Sequence, residues 1–217
     1  MVGIIAINVA AGAALIVVWY AWFARANRRK SAEVLRRIKL AFAGQVQIAG
    51  VRWSSASRLL IRLRVLSSLF QHASMMVQLR ERELPLSWLW WRIKNKQETV
   101  TFEADLECAP AFNLEVHNQR WCGRTRRAPR RQQATALERC GPFVLTTRHD
   151  WQRDIMTMMT ALVASRDCDF LSVNFRRVSP HFTATVPLDS LLRDPQGEVE
   201  IFEVLRELAS CAQTSHF

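Results

Sequence analysis

The chain has 217 residues, which is enough for one or two domains. With 49% hydrophobic and 23% charged residues, it can bury a core, which excludes a wholly disordered chain and a small disulfide-stapled protein. It carries 30 Lys and Arg residues against 19 Asp and Glu residues, for a net charge of +11. This excess of positive charge favours an anionic partner or an anionic surface.

Residues 1–24 predict a transmembrane anchor. Residues 2–24 contain no charged side chain, and as a helix they would be roughly 34 Å long, slightly more than the ~30 Å hydrocarbon core. A cleaved signal peptide is not expected, because no Lys or Arg precedes the apolar run and the run ends in aromatic residues. A buried helix of a soluble protein is the alternative. The run ends in rings that suit the headgroup level of a bilayer, namely Trp19, Tyr20, Trp22 and Phe23.

Positive charge follows the apolar run at once. Seven cations precede residue 40 and are accompanied by Glu33 alone: Arg25, Arg28, Arg29, Lys30, Arg36, Arg37 and Lys39. The positive-inside bias therefore predicts an inner-membrane protein with everything after residue 24 in the cytoplasm. Five cysteines with no CxxC pair agree with a reducing compartment.

The net charge is concentrated near the predicted anchor. Up to Lys96 there are sixteen basic and three acidic residues, whereas from Gln97 onward there are fourteen and sixteen. An anionic inner leaflet attracts basic residues by about 1 kcal/mol each near the surface. The sequence thus predicts a bilayer with an anionic inner leaflet as one partner.

Residues 25–44 predict a basic juxtamembrane amphipathic helix. Val34, Leu35, Ile38 and Phe42 share one apolar stripe, and Gly44 is a natural end. This stripe can lie along the headgroups or dock on the following domain, since both arrangements bury the same side chains.

Residues 45–217 predict one cytoplasmic α+β domain, with an antiparallel sheet and two or three packed helices. Apolar and polar residues alternate over 58–65, 72–80 and 99–106, and shorter strands are predicted over 142–147, 170–177 and 182–186. Helical spacing predicts a helix over 151–165 and another that starts at Asp194 and Pro195. Five arginines lie between residues 124 and 131, beside Gly123 and Pro129, which predicts a mobile basic loop near 121–140.

Residues 84–96 combine aromatic side chains with cations. Trp88, Trp90 and Trp91 lie beside Arg92, Lys94 and Lys96. This composition is typical of an interfacial loop that dips into the headgroups. The alternative is that the indoles fill the core or cover a sheet edge, because Trp is usually largely buried.

No cofactor, metal site or catalytic residue is assigned. Cys108, His117, Cys122 and Cys140 are weak metal-ligand candidates, because their spacings of 9, 5 and 18 lack the tight CxxC or HxxxH pair of a structural zinc site. GxSxG, HExxH, P-loop and GxGxxG motifs are absent. A pairing of Cys122 with His117 or His149 still leaves enzymatic chemistry open.

The sequence therefore predicts a single-pass, membrane-anchored adaptor or assembly module that acts by binding other membrane proteins. Tethering raises its effective concentration at the membrane, so weak contacts suffice. Two alternatives stay open: a membrane-tethered enzyme using Cys or His chemistry, and a basic nucleic-acid-binding module. Nucleic acid is not the expected partner, because no RRM or cold-shock pattern accompanies the basic residues.

Overall fold

The structure is a computed structural model. It describes residues 2–41, 46–65, 69–80, 85–93, 97–110, 112–118, 135–140, 143–148, 170–193 and 197–214. The predicted helix over 151–165 and residues 121–134 of the predicted basic loop lie outside these ranges.

One helix, α1 (Val2–Ala41), runs without a break through both the predicted anchor and the predicted juxtamembrane segment. Neither Gly nor Pro occurs between Gly12 and Gly44, so nothing in this stretch interrupts the helical hydrogen bonds. At 1.5 Å per residue, its 40 residues extend for about 60 Å. The helix is therefore about twice as long as a bilayer core is thick.

The described residues also form a single nine-stranded sheet. Every pairing is antiparallel, and the strand order is β1-β2-β3-β4-β9-β8-β5-β7-β6. Strands β1 to β4 form a meander, and β9 then joins this meander to the strands of the second half. The strands are β1 (Val46–Ser55), β2 (Arg58–Val65), β3 (Phe70–Gln78), β4 (Thr99–Leu106), β5 (Leu114–Asn118), β6 (Thr135–Cys140), β7 (Phe143–Arg148), β8 (Ser172–Phe175) and β9 (Phe182–Pro187).

Three further helices complete the described fold: α2 (Pro85–Ile93), α3 (Leu188–Arg193) and α4 (Gly197–Thr214). Helix α4 lies close to α1 and α3. Its Leu205 and Leu208 belong to the same buried cluster as Val34 and Ile38 of α1.

The core lies on one face of the sheet. Alternate residues of β4, from Val100 to Leu106, are buried, as the alternation predicts. Aromatic rings fill the centre of this face, with centroids 6.1 Å apart for Phe102 and Phe182 and 4.9 Å apart for Phe175 and Phe182. Aromatic pairs in this distance range add stabilisation beyond the area that they bury. The predicted α+β class with an antiparallel sheet is confirmed.

The structure differs from the sequence predictions in several segments. The tryptophan segment is not a loop but the helix α2, whose first residue is Pro85; proline is tolerated there because the first helical amides have no intrahelical acceptor. Strand β6 (Thr135–Cys140) occupies the end of the segment that was predicted to be a mobile loop, and β5 (Leu114–Asn118) was not predicted. Both strands are short and lack a long apolar alternation.

Candidate membrane-contact surface

Within the part of the chain that the structure describes, the first half of α1 is exposed, and only its last turns meet another helix. Its most apolar 18-residue window has a mean hydropathy of 2.2, and none of that window is buried. Large side chains such as Ile7, Leu15 and Val17 are mostly exposed. A core helix of a soluble protein is mostly buried, whereas this window is exposed. Among the described residues, this is the one helix long and apolar enough to cross a membrane.

The second half of α1 docks on the domain. Asn27, Ser31, Val34 and Ile38 are all buried, and their spacing of four, three and four residues places them on one face. The Asn27 Nδ2 group donates a hydrogen bond to the Arg80 carbonyl at 3.3 Å. Further along the helix, the Arg37 guanidinium donates to the Leu192 carbonyl at 2.6 Å. The juxtamembrane stripe therefore packs on the domain.

A buried carboxylate fixes the position of α1 near residue 30. The Glu98 side chain is 5% exposed; its Oε2 atom pairs with the Lys30 ammonium, and its Oε1 atom accepts the Arg80 amide at 3.3 Å. Burial of a carboxylate is costly unless it is paired and hydrogen-bonded. The Glu98 carboxylate is both paired and hydrogen-bonded. Its contact with Lys30 therefore helps to set where α1 leaves the domain.

Helix α2 lies beside the last turns of the apolar half of α1. The Trp19 and Trp88 rings meet edge to face with centroids 6.4 Å apart, and Trp19 also contacts Phe23 at 4.7 Å. The Arg92 guanidinium lies over the Trp88 ring, 5.4 Å from its centroid, which is a cation–π distance. Trp19 precedes Arg25 by six residues, or about 9 Å of helix. Helix α2 is therefore level with the end of the apolar run.

The outward face of α2 is apolar. Leu89, Trp90 and Ile93 recur at helical spacing and are exposed, Trp90 by 56%. Together with the exposed Tyr20 and Trp22 of α1, these side chains surround the end of the apolar run. Rings with a polar edge are favoured at the headgroup level of a bilayer.

The same end of the domain carries exposed cations. Arg25, Arg28 and Arg29 are exposed on α1, and they lie between the apolar half and the docked half. Three of the predicted contact residues are only partly exposed. The Lys30 ammonium pairs with Glu98, and the Trp19 and Trp88 rings contact one another. The side chain of Trp91 and residues Lys94 and Lys96 lie outside the described part, so their predicted membrane contact remains a prediction.

The structure does not assemble the weak metal-ligand candidates. Cys108 is exposed beyond the end of β4. His117 on β5 aligns with Val144 of β7 and Ser172 of β8, whereas Cys140 on β6 aligns with Phe143 and hence with Asn118. Cys122 lies outside the described ranges. Within those ranges, no group of three His, Cys, Asp or Glu side chains is placed to hold a metal ion.

Two histidines have contacts within the sheet. The His117 Nε2 atom lies 3.7 Å from the Glu115 carboxylate on the same strand. The Nδ1 atom of His181 accepts the Leu106 amide at 3.2 Å, so it caps the end of β4. The other candidate for Cys or His chemistry, His149, lies outside the described residues.

Comparison with known proteins identifies no family. No family model matches the sequence, and no curated protein matches it. A solved structure with some likeness is the crystal structure of the mycobacterial trehalose monomycolate transport factor A, TtfA, with a TM-score of 0.46 and 10% sequence identity. The alignment covers 81% of this chain and 92% of that chain.

Sequence reasoning missed the polar residues that dock α1. Asn27 and Ser31 are polar and Glu98 is charged, so none of them is expected at a buried position. The available signal was their position: Asn27 and Ser31 precede Val34 and Ile38 on the same helical stripe. That stripe continues upstream to Phe23 and Trp19, which contact one another.

Proposed function

We propose that the protein is a single-pass, membrane-anchored adaptor or assembly module, with α1 crossing the bilayer and the α+β domain held at its cytoplasmic face. The observation that carries the proposal is the division of α1 into an exposed apolar half and a docked polar half. An exposed apolar surface of this size is unfavourable in water and marks a membrane or protein contact. Only the first half has the length and composition to fill a hydrocarbon core.

Helix α2 supports a bilayer boundary near Trp19 and Ala24. Its exposed Leu89, Trp90 and Ile93 are level with the end of the apolar run, so they would enter the headgroup and acyl boundary beside α1. The exposed arginines 25, 28 and 29 follow directly, where anionic headgroups would attract them. The cytoplasmic orientation is supported by this excess of positive charge after the span.

Direct docking of α1 gives the adaptor a defined geometry. The span continues into the helix that packs on the sheet, so the domain would be held at a set height and orientation above the membrane. A flexible linker would allow many heights and orientations. A binding surface held in this way meets other membrane proteins at high effective concentration.

Resistance of the full-length chain to alkaline carbonate extraction tests the anchor. We expect the wild-type chain to stay in the membrane pellet. The double variant Val9→Lys/Leu15→Lys places two charges in the span, each costing about 2.5–3.5 kcal/mol near the centre of a bilayer, and is expected to move to the soluble fraction. Its control, Val51→Lys/Val178→Lys, also introduces two lysines in place of exposed apolar residues, but in the domain. Release of the wild-type chain by carbonate contradicts the proposal.

A further inference from the structure

Strand β1 forms one edge of the sheet. It pairs with β2 on one side, and no other described strand pairs with it. Register shifts at Ala49 and Ser54 bracket a regular stretch from Gly50 to Trp53. An edge strand offers outward-pointing amides and carbonyls to any extended chain that approaches it.

The core-side face of β1 is only partly covered. Val51 is 44% exposed and Trp53 is 38% exposed, although their β2 partners Ile61 and Leu59 are buried. This face of the sheet is therefore covered at β2 and partly open at β1. An added strand would set every second side chain beside Val51 and Trp53, where apolar residues fit.

The opposite face of this hairpin is basic. Residues 46–65 contain Arg52, Arg58, Arg62 and Arg64 and no acidic residue, and all four arginines are exposed. Arg62 is aligned with Gly50 of β1, where a Cβ atom would meet nothing within 4 Å. Because Gly50 has no side chain, the path from Arg62 to the sheet edge is open. Acidic side chains on an added strand would find Arg52 and Arg62 there.

A cavity lies at the other end of the same edge. It has a volume of about 300 Å³ and is lined by Ile38, Lys39, Val46, Gln47, Ile48 and Leu63. An apolar side chain anchored there would fix the register of an added strand.

We propose that β1 binds an extended segment of a partner protein in which acidic and apolar residues alternate, and that this segment adds a tenth strand to the sheet. The acidic residues face Arg52 and Arg62, and the apolar residues face Val51 and Trp53. The inference rests on the proposed adaptor function and names the chemistry of its partner. A second copy of β1 is a poorer occupant, because pairing would bring Arg52 and Arg62 of two chains together on one face.

Peptide binding to the purified full-length chain in a nonionic detergent tests this inference. The probe is a fluorescently labelled ten-residue peptide in which Glu and Val alternate. Its binding to the chain is measured by fluorescence anisotropy. One comparison peptide replaces Glu by Lys, and another carries N-methyl groups on alternate amides, which removes its hydrogen bonds to a sheet edge. We expect only the unmethylated acidic peptide to bind.

Charge reversal locates the binding edge. Arg52→Glu should weaken binding by about tenfold or more, since it turns an attraction into a repulsion. The matched control is Arg206→Glu, the same change at an exposed position on α4, which should leave binding unchanged. Val51→Lys should weaken binding through the apolar face.

The inference would be overturned by equal binding of the N-methylated peptide or by an equal loss in the Arg206→Glu variant. It would also be overturned if the acidic peptide failed to bind, whether or not the chain forms a dimer that Val51→Lys disrupts. The assay works in detergent and does not depend on insertion into a bilayer. Failure of peptide binding with intact carbonate resistance would therefore reject this inference alone, and release by carbonate would reject the anchor alone.

Discussion

The Lys30 ammonium on α1 pairs with the Glu98 carboxylate at the start of β4, sixty-eight residues further along the chain. Glu98 also receives the Arg80 amide from the end of β3. The ion pair thus joins the helix to two neighbouring strands at the point where the chain leaves and re-enters the sheet around α2. Together with the hydrogen bond from Asn27 to the Arg80 carbonyl, it positions α1 where its apolar half leaves the domain.

Removal of Lys30 should destabilise the domain. In Lys30→Met the buried Glu98 carboxylate loses the Lys30 ammonium that pairs with it, and we expect a loss of about 1–3 kcal/mol in the free energy of unfolding. Thermal unfolding of the full chain in detergent measures this loss. The exposed Arg36→Met is the control, with an expected change below about 0.5 kcal/mol.

A double variant separates the ion pair from the rest of the site. Adding Glu98→Gln to Lys30→Met removes the unpaired charge, so part of the lost stability should return. An additive further loss would show that the two side chains do not act as a pair.

Shortening an apolar side chain of α1 should lower the stability of the domain only when that side chain lies in the docked half of the helix. Ile38 is buried in the core cluster, and Ile38→Ala is expected to cost about 2–5 kcal/mol because it leaves a cavity. Ile7 is exposed, so Ile7→Ala makes the same chemical change but leaves no cavity. Chemical unfolding in detergent compares the two variants, and equal losses would contradict the division of α1.

The outward face of α2 should lie at the membrane interface. Spin labels at Leu89 and Ile93 in lipid nanodiscs are expected to be more accessible to oxygen, which partitions into lipid, than to a water-soluble nickel chelate. A label at the exposed Glu203 of α4 should show the reverse preference. Water-like accessibility at both α2 positions would place this helix off the bilayer.

The thiols of Cys108 and Cys211 should differ in reactivity. Burial raises the pKa of the Cys211 thiol, and the negative charge of Glu207 raises it further. Because the thiolate is the nucleophile, a raised pKa leaves less of Cys211 in reactive form at pH 8, and it should react with iodoacetamide more slowly than the exposed Cys108. Single-cysteine variants followed by mass spectrometry measure both rates.

The rate difference should narrow as the pH rises above 9, because more of Cys211 is then deprotonated, and it should nearly vanish in denaturant. Equal rates at pH 8 in the native chain would contradict this assignment.

Local sequence patterns were sufficient to predict an element correctly where one of its faces is buried and the other is exposed. Strand β2 coincides with the predicted 58–65 because apolar and basic residues alternate along it. Strands β5 and β6 escaped prediction because they are short, and their place in the sheet depends on partners distant in sequence. Helix α2 was misassigned because consecutive tryptophans next to cations conceal a helical period.

For the candidate membrane-contact surface, the sequence predicts which residue types take part but not which residues contact one another. The sequence identifies Trp19 and Trp88 as aromatic residues beside cations, but their contact joins positions sixty-nine residues apart and depends on the tertiary fold. The docking of α1 through Asn27 likewise depends on the Arg80 carbonyl at the end of β3. Such long-range contacts leave no periodic signal in one sequence.

Labelling of Cys108 in intact cells tests the central claim most directly. A full-length variant that keeps Cys108 alone is treated with a membrane-impermeant maleimide before and after lysis, since this thiol is exposed in the domain. A chain anchored by α1 with its domain in the cytoplasm should recover with the membrane fraction and be labelled only after lysis. Labelling in intact cells, or recovery in the soluble fraction, would contradict the account.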